Sequence, residues 1–181
     1  MILLKHWVNG EVLVQLNVAT LQGADLAGAD LSDTDLRGLN LSGANLTDAV
    51  LSGANLATAN LSSAVLQRAE LIGAILEDAN LQQTNLQDAI LISANLVRAT
   101  ISHAHLLRAD LRHAWLGADL YGASLVDANL RRAMLFTADL RMADLTGAMM
   151  QGALYNELTK WPEGFQPLES GARPWKAGPS G

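Results

Sequence analysis

The sequence predicts an all-β solenoid, a chain wound into stacked coils that turns a corner every five residues. The first observation is a phrase, Ala-(Asp/Asn)-Leu-x-x, repeated from Ala19 to Tyr155, as in Ala24-Asp25-Leu26-Ala27-Gly28 and Ala44-Asn45-Leu46-Thr47-Asp48. Counted by its central residue it occurs 28 times, every fifth residue from Leu21 to Leu116 and again from Leu120 to Tyr155. The second observation is how little the phrase varies. Leu fills 25 of the centres, and Ile101, Met150 and Tyr155 fill the others. Two residues earlier Ala fills 25 positions, interrupted by Thr34, Leu39 and Thr84. One large and one small inward position follow. The residue between them is Asp or Asn in 15 repeats, which places it toward water or the backbone.

The period itself is the third observation. On an α-helix five residues advance about 500°, so the leucines would smear around every face. In a flat strand residues five apart point to opposite faces, and half the leucines would meet water. A chain that turns once per repeat keeps every Leu inside, and stacked coils then pair their backbones. Gly closes the repeat nine times (Gly23, Gly28, Gly38, Gly43, Gly53, Gly73, Gly122, Gly147, Gly152), where a tight corner tolerates it best. No proline precedes Pro162, as backbone pairing requires.

These residues resemble the pentapeptide-repeat proteins, and the repeats cover roughly three quarters of the chain. The resemblance implies a right-handed quadrilateral β-helix with four repeats per coil and the central Leu and preceding Ala inside. On four sides 28 repeats make seven coils, a rod of roughly 34 Å at the spacing of neighbouring strands.

Residues 1–18 precede the clean repeat. Ile2 to Asn9 reads as a short amphipathic helix stopped at Asn9-Gly10, a cap for the first coil that would otherwise expose a sheet edge. A hairpin turning on Asn9-Gly10, with Trp7-Val8 facing Glu11-Val12, is the competing reading. Similar openings in some cyanobacterial family members favour the helix. Met1-Ile2-Leu3-Leu4 is cut by Lys5 and His6, too short for a signal-peptide core, and a cytoplasmic location is expected.

The repeat region 19–155 is electrically uneven. Residues 20–95 carry nine Asp/Glu against Arg37 and Arg68, a balance of −7. Residues 96–150 carry six Arg against five Asp, a balance of +1. One phase defect interrupts them, since Leu116-Gly117-Ala118-Asp119-Leu120 lacks one residue between centres. The loss falls at the Gly117 corner, where glycine suits unusual backbone angles.

After Tyr155 the stretch Thr159-Lys160-Trp161-Pro162-Glu163-Gly164-Phe165-Gln166-Pro167 resembles the Thr-x-(Trp/Phe)-Pro-x-Gly-Phe-x-Pro tail of many cyanobacterial pentapeptide-repeat chains. Residues 156–169 are expected to form a C-terminal lid anchored by Leu158, Trp161 and Phe165. From Ser170 to Gly181 the Gly, Pro and Ser content predicts disorder.

No catalytic constellation is found. The aspartates recur without an accompanying base, nucleophile or cleft, and there is no phosphate loop, Gly-x-Ser-x-Gly or His-Glu-x-x-His. His103 and His105 flank one corner while His113 sits about two sides away, so no metal or cofactor is expected. The net charge of −6 argues against nucleic-acid binding, and no membrane segment is seen. The chain is therefore expected to be a non-enzymatic structural or protein-interaction rod. The alternative that the family implies is a duplex-DNA mimic acting on DNA gyrase, which the acidic first half suits. Against it, such proteins dimerise through a C-terminal helix, whereas this tail holds four prolines.

Eight repeats replace the Asp/Asn by a bulky apolar residue (Val50, Val65, Ile75, Ile90, Trp115, Met134, Met149, Leu154). Dealt to four sides in turn from Leu21, side four receives Ile75, Trp115, Met134 and Leu154, with Val97 and Phe136 at the next outward position. That strip, centred on Trp115, is the expected interface with a protein partner or a second copy of the chain. The competing expectation is that the tail folds back over its lower end.

Overall fold

The computed structural model describes residues 1–175, and over them the chain is a four-sided stack of coils. The side count follows from register. Parallel backbone bridges join Asp25 to Asn45, Asn45 to Val65, Val65 to Asn85 and Asn85 to His105, so 20 residues complete one coil. Four ladders of this kind run down the rod, one per side. In each, the residue before the centre donates to the carbonyl of the small inward residue one coil up, and the centre donates to the next coil down. Asn45 N–H donates to Ala24 O at 2.9 Å and Leu46 N–H to Val65 O at 2.7 Å.

Local chemistry makes each corner. The N–H of the small inward residue donates to the carbonyl of the preceding centre, as from Ala44 to Leu41 at 3.0 Å. The last residue of the repeat stands at positive φ, from 54° at Asp33 to 74° at Gly152. Positive φ at the third residue alone is the type II turn pattern. The recurrent Asp/Asn locks the corner, because its Oδ1 accepts the N–H two residues on, as from Thr47 to Asn45 at 3.2 Å. All 15 such residues, from Asp25 to Asp144, do this. Their side chains thus serve the backbone while, Asn55 apart, remaining at least partly exposed.

The interior is a column of Leu and Ala. Every central Leu from Leu31 to Leu140 and every inward Ala from Ala44 to Ala138 is at most 3% exposed. Thr34 and Thr84 occupy the Ala position fully buried, each hydroxyl donating to the carbonyl three residues back at 2.7 Å. Outside, the corner after side two carries Asp48, Arg68, Asp88, Arg108 and Asp127 on successive coils. Arg68 pairs with Asp48 at 2.6 Å and Arg108 with Asp88 at 2.7 Å. Hydrogen bonds from these arginines hold both carboxyls below their ordinary range.

The N-terminus differs from the expected helix. Strands β1 (Ile2–Lys5) and β2 (Val12–Leu16) form an antiparallel hairpin. Its loop is longer than the Asn9-Gly10 turn considered above, because Lys5 pairs with Val12 and the His6 N–H donates to Glu11 O. The His6 ring braces the loop, Nδ1 accepting from Val8 N–H at 3.1 Å. The physical reason is the open edge of coil one. Asp35 N–H donates to Lys5 O at 2.6 Å, Trp7 N–H donates to Asp33 O at 3.1 Å, and Leu4 is buried on the core. A helix could not satisfy that edge. The hairpin therefore occupies side four one coil above the first.

At the other end the ladder runs past Tyr155. Thr159-Lys160-Trp161 is a further repeat on side one, with Thr159 buried and Lys160 bridged to Asp139. Ala172-Arg173-Pro174 is another on side four, where β4 (Arg173–Pro174) pairs parallel with β3 (Leu154–Tyr155). Residues 170–175 are thus paired rather than disordered, because Ala172 fills a buried inward position. The disorder expected for residues 176–181 lies outside the described residues. Between these repeats Trp161 stacks on Phe165 (5.2 Å, 19°) and meets Tyr155 edge-on (5.4 Å, 88°), covering the core. Leu158, expected as an anchor, is 57% exposed instead, since the Thr159 side chain takes the inward position.

Candidate functional site

Side four carries the expected strip as a continuous ladder. Ile75 bridges to Asn95, Asn95 to Trp115, Trp115 to Met134 and Met134 to Leu154, and Arg173 follows at the foot. Neighbouring rungs are about 4.8 Å apart. Trp115 is 53% exposed, while Ile75, Met134 and Leu154 are half-buried by their neighbours. Val97 and Phe136, one corner position on, are also half-buried. Val97, Trp115, Gly117, Met134, Phe136 and Thr137 line a shallow groove of about 250 Å³.

These apolar residues sit where Asp or Asn would hold a corner together. A Trp or Met cannot accept the N–H two residues on, so each forgoes one hydrogen bond of about 0.5–1.5 kcal/mol. Two such losses, at Trp115 and Met134, fall on consecutive coils of one side, while below them Asn156 N–H donates to Thr159 Oγ1 at 3.2 Å instead. Trp115 nevertheless leaves 53% of its surface in water.

The shortened corner shapes the groove. Ala118 N–H reaches back to Leu116 O at 2.8 Å, one residue nearer than elsewhere. Gly117 does not adopt positive φ, contrary to the reason given above for its being glycine. Its need is space, because a Cβ there would lie 2.8 Å from the Phe136 carbonyl oxygen. The ladder absorbs the loss, with Trp115 bridging Met134 after 19 residues.

The tail touches the strip without covering it. Trp175 packs on Phe136 (centroids 5.7 Å apart), while Trp115 stays open. Sequence reasoning missed Trp175 because the register of the tail depends on the path of residues 161–171. It also missed Gly117 and Thr137 as groove walls, although writing the chain in rows of one coil would have aligned them.

The histidines do not converge. His103 lies against Tyr121 (5.8 Å, edge-on), His105 is exposed on side two, and His113 is exposed at the corner before side four. Among the described residues no group of three or more His, Cys, Asp or Glu is placed to hold a metal ion. No described helix is long and apolar enough to cross a membrane.

The sequence matches the family described as pentapeptide repeats, in eight copies over residues 15–53, 40–78, 79–116 and 117–152. Among solved structures it is similar to HetL, a pentapeptide repeat protein involved in heterocyst differentiation regulation from the cyanobacterium Nostoc sp. strain PCC 7120. Identity is 33% over 74% of this chain and 72% of HetL, with a TM-score of 0.50. A second Nostoc PCC 7120 pentapeptide repeat protein, alr5209, is 37% identical over 60% of this chain and 86% of its own, with a TM-score of 0.32. A trypsin-treated form of QnrB1, a plasmid-mediated fluoroquinolone resistance protein, is 23% identical over 74% of this chain and 78% of its own, with a TM-score of 0.39. No curated protein matches the sequence.

Proposed function

The chain belongs to the pentapeptide-repeat family, and from that membership we propose that it is a non-enzymatic rod that binds a protein partner through side four. The right-handed winding expected of the family belongs to the same proposal. The observation that carries it is the apolar ladder of Trp115, Met134 and Leu154 along one side, with Trp115 exposed and two corner hydrogen bonds forgone. A flat strip with a Trp at its centre has the make-up of a contact surface. Its likeness to HetL, whose name ties it to regulation of differentiation, is in keeping with a role exercised through other proteins.

Trp115→Asp tests this reading. Proteins captured from a lysate of the source cells should be lost with Trp115→Asp and kept with Asn85→Asp, which puts a charge on side two. Light scattering on the wild type shows whether the occupant is a second copy of the chain. If Trp115→Asp alters neither capture, nor mass, nor stability, the strip is incidental.

The gyrase-directed reading draws on the nine acidic residues between 20 and 95. It is the weaker of the two, because Arg37, Arg68, Arg98 and Arg108 are hydrogen-bonded to five of those carboxylates, Asp35, Asp48, Glu77, Asp78 and Asp88. A supercoiling assay with added protein tests it; inhibition or protection of gyrase at micromolar concentration would restore it.

A further inference from the structure

The corner between sides three and four changes chemistry down the rod. Its residues are Ile72-Gly73 and Ile92-Ser93 on coils three and four, then Arg112-His113, Arg131-Arg132 and Gln151-Gly152 below. Arg173 stands one coil lower on side four, its N–H donating to Ala153 O at 2.8 Å. Arg112, His113, Arg131, Arg132, Gln151 and Arg173 line a groove of about 490 Å³.

Charge compensation sets this groove apart. Six of the nine arginines, Arg37, Arg68, Arg98, Arg108, Arg112 and Arg141, hold a carboxylate at 2.5–2.8 Å. Arg131, Arg132 and Arg173 have none within 4.0 Å among the described residues, and all three line this one groove. Arg131 reaches only a neutral acceptor, Gln151 Oε1 at 3.0 Å. On a chain of net charge −6 a local excess of guanidinium is an unfilled demand for anion.

We propose that this corner receives a run of acidic side chains on the partner protein, alongside the apolar strip that the partner occupies. The proposal rests on the reading of side four as the contact face. His113 and Arg132 immediately precede Ala114-Trp115 and Ala133-Met134, so the cationic groove forms one rim of the strip. From coil five to Arg173 the groups extend over roughly 14 Å of rod, at about 4.8 Å per coil. That reach exceeds one oxyanion and suits several carboxylates on an extended segment, whose alternate side chains lie about 7 Å apart. Arg pairs with carboxylates through a planar fork, which gives the rim geometric as well as electrostatic selectivity.

Fluorescein-labelled hexaglutamate and hexaglutamine, followed by anisotropy at low and physiological ionic strength, test the corner without any apolar contribution. Hexaglutamate should bind, more weakly as salt rises, and hexaglutamine should not. The double variant Arg131→Gln/Arg132→Gln should weaken binding by roughly tenfold or more, with an unchanged melting curve because both residues are exposed. Arg68→Gln/Arg108→Gln, which removes paired arginines from another corner, should leave it within about twofold. Equal binding by wild type and the Arg131/Arg132 variant, or an equal loss in the Arg68/Arg108 variant, overturns the assignment. Displacement of hexaglutamate by less inorganic pyrophosphate than hexaglutamate itself also overturns it, in favour of a small-oxyanion site. Trp115→Ala should leave hexaglutamate binding unchanged. Failure of the strip in the capture experiment is therefore read separately from failure of the corner.

Discussion

Replacing Thr84 by Val should destabilise the rod by about 2 kcal/mol, although Val is nearly isosteric with Thr and more apolar. Thr84 is fully buried at a position that is Ala in most repeats, with Oγ1 at 2.7 Å from the Leu81 carbonyl oxygen. A methyl in that place would meet the oxygen about 0.6 Å inside the ordinary carbon–oxygen separation of roughly 3.3 Å. The coils above and below are pinned by ladders on all sides, so relief must come from turning χ1. A rotation of about 30° costs about 1 kcal/mol, and the lost hydrogen bond about 1 more. Thr84→Ala loses the same hydroxyl bond, about 1 kcal/mol, and about one buried methyl, roughly 0.8 kcal/mol, but takes on no crowding. Both variants should fall about 2 kcal/mol below the wild type, Val gaining nothing over Ala from its added methyl groups. Urea unfolding followed by circular dichroism gives the midpoints, with an unchanged slope showing that the same surface is exposed. A Val variant with the wild-type midpoint would show that the inward small position is not confined.

The other expectations are shorter. Leu91→Ala, at a fully buried centre, should cost roughly 2–5 kcal/mol, and Ala89→Leu roughly 1–3 kcal/mol by overpacking, both read from the same midpoints. Gly117→Ala should cost roughly 1–3 kcal/mol for steric reasons alone; an unchanged melting temperature would mean that the Phe136 carbonyl moves freely. Acid should weaken the rod: hydrogen bonds from Arg141 and Lys160 hold Asp139 well below its ordinary value of 3.8, and those from arginines also lower Asp48, Asp78 and Asp88. Carboxyls depressed in the folded state contribute stability that is complete above the ordinary value and lost as pH falls below it, so melting temperatures should drop below about pH 4. Asp139→Asn should flatten part of that drop. Deleting residues 1–18 should bare the Asp33–Asp35 edge and produce association by light scattering, whereas a monomeric variant of equal stability would contradict the capping role of the hairpin.

The repeat was legible because its determinants are local. A Leu, an Ala and an Asx separated by fixed steps specify a corner, and the side assignment needed only counting. The misread elements depend on partners far away in sequence. Ile2 to Asn9 has a spacing that suits a helix or a strand, and what selects the strand is the vacant edge at Asp33 and Asp35. Gly117 shows the same limit, since the carbonyl that excludes a side chain belongs to Phe136 one coil below. The apolar strip was visible in the sequence because its members share one repeat position. The arginine corner was not, because Arg131, Arg132 and Arg173 become neighbours only when coils six, seven and eight are in register. Charge totals for each half of the chain showed an excess of Arg below, without showing which arginines were already matched.

The corner at Gly117 shows that the rod counts corners rather than residues. Losing one amino acid left every ladder aligned, because the chain still turned once between Leu116 and Leu120. An insertion of five residues would do the reverse. It adds a corner, and everything downstream is dealt to the next side, so Met134 and Leu154 would leave the face that holds Trp115. Only additions of a full coil lengthen the rod while preserving its faces. Surface patterns in such a chain therefore constrain the arithmetic of its growth: duplication of whole coils is silent for recognition, whereas duplication of a single repeat rewrites the face on which every later side chain is displayed.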